Sequence, residues 1–387
     1  MTLIAVTGSS NEINCRDAAS RAAQQALKSL GGARPEAAIL FFADACNPAE
    51  VMEGLNSVLG DLPVWGAGTT TPITAEHNSR VAIALLSGVQ GPVETSWLGH
   101  FAQDSIGAAL ALGEKLAQAN HAGSHTVLFV VDGLQGNTQP LCAAFEEATL
   151  AVNGFMSAGM QSQGKTYQVS DGQCGSGGLA FLWLGGRTRV GFGIGHGWKD
   201  SGLHFRVTRS REVWVKKLDE ASPAEVYERV FGYPAREWAF APLSDLVRLY
   251  SLGVDETGSG EVILHAPLRM EVDGGLRLNL PIAEGQAVRL MVADPEACLA
   301  AARRATREAM RRSQSRRPAL AIVLVDQSWQ VLFETRPEAV LKAVQAELGQ
   351  TPVIGAYTLG QFHRLENQKT LQAMNENIQV VVFGEAD

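Results

Sequence analysis

The sequence predicts an α/β protein of two lobes, built from duplicated units of mixed β-sheet and helix. Three observations carry that reading. Residues 38–71 run AILFFAD, PAEVMEGLNSVLG and LPVWGAGTT: an apolar stretch of strand length ending on an acid, a helix-patterned segment, and a short run that breaks at Gly66. The same order recurs at 126–159 (TVLFVVD, LCAAFEEATLAV, NGFMSAG) and at 321–360 (AIVLVD, PEAVLKAVQAELG, TPVIGAYTLG). Each copy is followed by a further apolar run, VAIALLSG, GGLAFLWLGG or IQVVVFGEA. Runs apolar on both faces suit strands covered on both sides, and a grammar repeated three times suits units that share a core. Asp44 precedes Gly66 by 22 positions and Asp132 precedes Gly154 by 22, whereas Asp326 precedes Gly355 by 29, so the third copy is expected to carry a longer loop.

The elements follow in order. Leu3–Val6 reads as a strand and Arg16–Leu30 as an amphipathic helix, stopped by Gly31, Gly32 and Pro35. The first copy runs to Gly88; Glu94–Phe101 is a strand and Ser105–Ala119 an Ala/Leu-rich helix. The second copy spans His125–Gly186, and its strands continue through Thr188–Gly195 into a loop, His196–Ser201. Phe205–Thr208 and Glu212–Val215 alternate as strands do. Ser222–Phe231 starts on Ser-Pro and suits a short helix. The lobe boundary falls near Asp219–Ser222, giving regions 1–220 and 221–387. Beyond it, Val247–Leu252, Glu261–Pro267 and Gln286–Val292 read as antiparallel strands between Gly-rich turns, Asp294–Arg312 as a helix, and the third copy closes the chain.

Composition narrows the class. The apolar fraction is 46% and the charged fraction 19%, which suits a well-buried globular protein. A net charge of −8 disfavours a nucleic-acid surface. The N-terminus, MTLIAVTGSS, lacks a basic region before an apolar one, and no apolar run approaches the roughly 20 residues that span a bilayer. A soluble, cytoplasmic protein without a membrane partner is expected; the oligomeric state, a homo-oligomer included, stays open. The five cysteines are scattered and form no CxxC or CxxCH, which weighs against a disulfide framework, a thiolate zinc site and covalent haem.

Several stretches carry candidate chemistry. Gly159–Thr166 spells GMQSQGKT, a full GxxxxGK[ST], yet a phosphate loop needs a helix directly after it. TYQVSDGQCGSGG follows instead and reads as a turn leading into a strand. Gly191–Trp198, GFGIGHGW, misses the dinucleotide spacing: from Gly193, the third glycine falls on Trp198. It reads as a strand opening into a loop that exposes His196 and Trp198. Gly195 and Gly197 would let another group approach the imidazole, and a tight turn with a satisfied histidine is the alternative. Cys174 could be a nucleophile with His196 as base, but no third orienting group is evident. Asp44, Asp132 and Asp326 end strands in equivalent places, where capping the next turn is the simplest role. No HExxH and no GxSxG occurs. Seven arginines between Arg303 and Arg317 suit a solvated helix face in so acidic a chain.

LPVWGAGTTTP, QCGSGGLAF, IGHGWKDSGLHFRVTRS, VKKLDEASPAEVYERVFG and TPVIGAYTLGQF, in that order, resemble the FIST-domain family. The resemblance implies an N-terminal FIST region over about 25–220, a C-terminal FIST region over about 221–365, and a cytoplasmic ligand-binding sensor without enzymatic activity. The chain is most similar in organisation to the family's stand-alone nitric-oxide-sensing members. That implies bound haem b, nitric oxide as ligand, and control of a partner histidine kinase feeding cyclic-di-GMP and biofilm signalling. On that likeness His196, with Gly195, Gly197 and Trp198, would hold the haem and His196 would ligate its iron; His204 and His363 are second choices. Two alternatives stand beside it: a FIST receptor for an amino-acid-like molecule without haem, and a Cys174-dependent enzyme. The third copy departs from the family pattern, with Asp326-Gln327-Ser328-Trp329 after its strand and Gln361 where an acid is usual.

Overall fold

The computed structural model describes residues 2–75, 79–121, 124–146, 148, 150–159, 164–255, 262–364 and 370–385. Three copies of one unit make up most of it. The first holds β1 (Ile4–Ser10), α1 (Cys15–Ser29), β2 (Ala37–Ala43), α2 (Pro48–Leu59), β3 (Val64–Thr69), β4 (Pro72–Ile73) and β5 (Val81–Ser87). The second holds β6 (Val93–Leu98), α3 (Ser105–His121), β7 (Ser124–Asp132), α4 (Thr138–Ala144), β8 (Ala151–Ser157), β9 (Gln168–Ser170), β10 (Gln173–Gly175) and β11 (Leu179–Gly185). The third opens with β12 (Thr188–Gly195) and is then interrupted. The insertion is β13 (Trp198–Arg211), β14 (Trp214–Leu218), α5 (Pro223–Phe231), α6 (Leu243–Leu246), β15 (Tyr250–Val254), β16 (Ile263–His265), β17 (Pro267–Met270), β18 (Leu276–Leu278) and β19 (Ala287–Ala293). The third unit resumes with α7 (Pro295–Ser313), β20 (Leu320–Asp326), α8 (Gln327–Leu332), α9 (Ala339–Leu348), β21 (Val353–Arg364), β22 (Leu371–Met374) and β23 (Ile378–Glu385).

Strand order is the same in all three units: β1-β5-β2-β3, β6-β11-β7-β8 and β12-β23-β20-β21. The second and third strands of each order are antiparallel; the last two are parallel and joined through a helix. The units then clasp one another in a cycle. β3 takes β9 of the second unit (Gly66↔Val169), β8 takes β21 of the third (Gly154↔Phe362), and β21 takes β4 of the first (Gly355↔Ile73). The three marked glycines thus sit at the three seams of a closed ring. Each also lies so close to its parallel neighbour that a Cβ would meet the Leu40 carbonyl oxygen at 1.8 Å, the Phe129 ring at 2.4 Å or the Val323 carbonyl oxygen at 2.0 Å.

Alternation along the apolar strands divides two kinds of core. Ile39 and Phe41, Leu128 and Val130, and Ile322 and Leu324 point into one cluster shared by all three units. Their neighbours Leu40 and Phe42, Phe129 and Val131, and Val323 and Val325 point outward, onto each unit's own helices. Both faces are therefore covered, which is why these strands read as unbroken apolar runs. The inserted residues form a separate seven-stranded antiparallel sheet, β16-β15-β19-β13-β14-β18-β17, with its own core around Tyr227 and Trp238. Its helix α5 is fixed at its start by the Ser222–Glu225 capping box and at its end by Gly232 in the left-handed region.

Four expectations are corrected. The longer loop of the third copy is largely helical: Asp326 caps α8, whose Trp329 is buried. Val247–Leu249 forms a 3₁₀ turn, and the strand begins only at Tyr250. Phe205–Thr208 is part of a much longer strand, because β13 pairs β19 along one half and β14 along the other. Cys15 and Cys46 are joined in a disulfide, although they stand 31 residues apart and in no motif. Packing of α1 against α2 brings the first residue of α1 to the β2–α2 loop. Closing a loop of that length contributes about 3–4 kcal/mol in the chain-entropy description. A Cys15→Ser/Cys46→Ser variant should therefore unfold at clearly lower urea; an unchanged midpoint would show that the bridge does not stabilise the fold. Among the described residues, no helix is long and apolar enough to cross a membrane.

Candidate functional site

His196 lies at the corner where the chain leaves β12 for the inserted sheet. It is half-buried, and its Nδ1 accepts the backbone N–H of Trp198 at 3.2 Å, so the neutral ring carries its proton on Nε2. Burial, and then the nearby charge of Arg304, lower its pKa. Trp198 is not exposed as expected: it is 4% accessible, and its ring stands 6.2 Å from that of Trp329. The flanking glycines face α7 rather than the imidazole. A Cβ on Gly197 would stand 2.1 Å from the Cys298 nitrogen and one on Gly195 3.4 Å from the Ala301 Cβ. Gly191 and Gly193 stand likewise against the Ala309 and Ala305 carbonyl oxygens, at 2.0 and 1.9 Å. The GFGIGHGW stripe thus exists so that the alanine face of α7 can lie directly on the strand. Gly8 does the same for α1 in the first unit, 2.1 Å from the Ala22 oxygen. His204 lies on an exposed stretch of β13, with Nε2 3.4 Å from Asp200 Oδ2. Its ring partner is thus Asp200, whereas that of His196 is the Trp198 amide.

The other candidates separate as well. Cys174 is on β10, and burial pushes its thiol up to about 12, so it holds no thiolate near neutral pH. Part of GMQSQGKT, residues 160–163, lies outside the described residues; the rest lies in the turn from β8 to β9, and β9 follows it where a phosphate loop needs a helix. Register corrects the carboxylate trio: Asp132 pairs Ser157 and Asp326 pairs Thr358, but the equivalent pair in the first unit is Ala43 with Thr69, leaving Asp44 one residue beyond. The first crossover is one residue longer, and equal spacing concealed the shift. Asp132 and Asp326 do cap turns, accepting from the Leu134 and Gln135 amides and from the Ser328 amide. Three arginines of the run are paired, Arg307 with Glu347 and Arg311 and Arg312 with Glu308.

Clefts of about 260 to 710 Å³ open among the described residues, and His196, Trp198 and His204 do not line these. One, of about 430 Å³, has walls from both halves of the chain: the β7–α4 loop, residues 133–137, and the inserted strands at Trp214 and at 277–281. Its apolar lining includes Met156, Leu268 and Leu280. Arg277 opposes Trp214 across the β14–β18 pair, its guanidinium carbon 5.4 Å from the ring centroid. It makes no ion pair among the described residues, and its Nε is buried without a hydrogen bond. Asn279 donates from Nδ2 to the Leu359 carbonyl at 2.8 Å and to Asn375 Oδ1, which leaves its own Oδ1 buried without a donor. Sequence reasoning passed over these residues. The alternation of Leu276-Arg277-Leu278-Asn279 did mark one polar face of a strand, but nothing local said that this face looks into a cleft.

The repeated units and their shared core define a mixed α/β protein built from duplicated units. The chain belongs to the FIST family: residues 36–221 match the FIST N domain and residues 223–364 the FIST C domain. FIST domains are ligand-binding sensor domains associated with signalling. Comparison with curated proteins finds no match. Among solved structures, the chain is similar to cyanuric acid hydrolase from A. caulinodans, at 9% identity and a TM-score of 0.37 over 100% of both chains. It is also similar to a chorismatase, at 10% identity and a TM-score of 0.36 over 99% of this chain and 98% of that one. Likeness to PurLQS from Thermotoga maritima is weaker, at 10% identity and a TM-score of 0.27 over 99% of this chain and 72% of that one. None of these similarities is close enough to bear on activity.

The surroundings of His196 do not fit a haem. An iron-ligating imidazole ordinarily donates its other ring N–H to a neighbour, whereas here Nδ1 accepts and the ring proton sits on the nitrogen that would bind. The two glycines and Trp198 are packed on α7 and Trp329, so they cannot form the walls of a porphyrin slot.

Proposed function

We propose that this chain works by binding, as a sensor of a small organic guest, and passes its occupancy to a signalling partner of the sensor histidine kinase class. The observation that carries this reading is the junction cleft, whose walls come from both FIST regions. A guest there alters the contact between the β7–α4 loop and the inserted sheet, which is a means of reporting occupancy. No haem is needed, and an amino-acid-like molecule falls within the size the cleft admits. The test is thermal unfolding against a panel of amino acids and organic acids. A guest at about 100 times its Kd adds roughly 2.7 kcal/mol, enough to raise Tm by several degrees. If no member of the panel moves the midpoint, this reading fails.

The haem-dependent reading, with haem b on His196, nitric oxide as ligand and the same kinase partner, has one observation in its favour. His196 stands at the corner between β12 and the inserted sheet, where a shift of its ring would be carried into β13. Its test is an absorption spectrum of freshly purified protein. A Soret band that moves with nitric oxide and vanishes in His196→Ala supports it; a featureless visible spectrum removes it.

A further inference from the structure

The polar groups that line the junction cleft call for a guest of definite chemistry. Arg277 presents a fixed cation: the Trp214 ring backs its guanidinium, and no acid among the described residues neutralises it. Its register neighbour Arg269 differs, since it pairs with Glu271 at 3.0 Å. Asp132 also lines the cleft, yet its oxygens are already saturated. Oδ1 accepts from the Leu134 and Gln135 amides at 2.8 and 3.0 Å, and Oδ2 from the Gly177 amide and the Ser176 hydroxyl at 2.9 and 3.2 Å. The acceptor that lacks a donor is Asn279 Oδ1. Because Asn279 Nδ2 faces two acceptors, the orientation of that amide is fixed.

We propose that the cleft is a binding site for a monocarboxylate that also carries a hydroxyl or N–H donor. This rests on reading the chain as a ligand-binding sensor and names the guest's class. The carboxylate lies on the Arg277 fork, as planar guanidinium and carboxylate groups pair. The donor satisfies Asn279 Oδ1, and the apolar body covers Leu268 and Leu280. Two acids in the lining, the buried Asp132 and the exposed Glu212, repel a second carboxylate, so di-acids bind worse.

Three probes separate the terms: mandelate, which has the carboxylate, the hydroxyl and an apolar ring; phenylacetate, which lacks the hydroxyl; and mandelamide, which lacks the charge. Calorimetric titration of the full chain should show mandelate tightest, phenylacetate weaker, and mandelamide weaker than mandelate by about tenfold or more, the weight of a charged hydrogen-bonded pair. Arg277→Gln should lose mandelate by a similar factor, with Arg277→Lys between the two. The order among the three probes in the unaltered protein decides the matter even if Arg277→Gln folds poorly. Equal binding of mandelate and mandelamide, or no binding of mandelate or phenylacetate, overturns the proposal. If mandelate binds the unaltered protein and Arg277→Gln equally well, this site is wrong, while the sensor reading stands.

Discussion

Gly193→Ala should be among the most damaging single substitutions in the chain, and Gly113→Ala should be neutral or stabilising. At Gly193 a Cβ would stand 1.9 Å from the Ala305 carbonyl oxygen and 2.9 Å from the Ala309 nitrogen, both backbone atoms of α7. No side-chain rotation relieves that; α7 must lift off β12, opening the outer core of the third unit. Overpacking costs about 1–3 kcal/mol where side chains can yield, and here the backbone must. We expect roughly 3 kcal/mol or more, a large part of the 5–15 kcal/mol typical of a folded domain. Gly113, exposed within α3, has nothing within 4 Å of its Cβ position. Alanine there gains helix propensity, about 0.5–1 kcal/mol. Urea unfolding of both variants checks the contrast; similar midpoints would mean that α7 does not rest on the glycine stripe.

Acid should weaken the fold steeply, through two buried histidines. Burial lowers His265 and His363 from 6.5 to about 4, His363 helped by Arg312. A base depressed in the folded state costs nothing well above its unfolded pKa, and stability is lost as pH falls from about 6.5 toward 4. Near pH 5 each histidine removes about 2 kcal/mol, so together they remove about 4 kcal/mol. Glu376 and Asp326 act in the opposite sense. Burial, which comes first for both, raises their pKa values. The folded state therefore retains protons that the unfolded chain has released, and these acids gain stability as pH falls. Glu376→Gln removes one of the opposing groups and should steepen the acid loss, whereas His363→Gln should make it shallower. Folding free energies measured at pH 7 and pH 5 decide it; a flat profile in Glu376→Gln would contradict the burial of these imidazoles.

Much of the architecture was legible because its causes are local. Residues 37–43, 126–131 and 320–325 are apolar on both faces because one face meets the shared core and the other meets a helix. Gly66, Gly154 and Gly355 could be marked because each tolerates no Cβ. What escaped depends on contacts distant in sequence. β12 reads as a continuation of the second copy, yet it opens the third, separated from α7 by the whole inserted sheet. The Cys15–Cys46 bridge and the clasping of β3 by β9 are likewise set by packing, not by spacing. For the site, sequence pointed to His196 because glycine beside histidine resembles a hinged ligand, while those glycines serve α7. Arg277 and Asn279 looked like an ordinary solvent face, since only the fold shows that the β7–α4 loop covers it.

Native mass spectrometry of the chain as purified, without added ligand, tests most directly the claim that the junction cleft and not the His196 corner receives the guest. The expected result is a small organic acid, retained by the folded protein, released on denaturation and missing from Arg277→Gln. An adduct of haem mass that persists in Arg277→Gln and disappears in His196→Ala would contradict it.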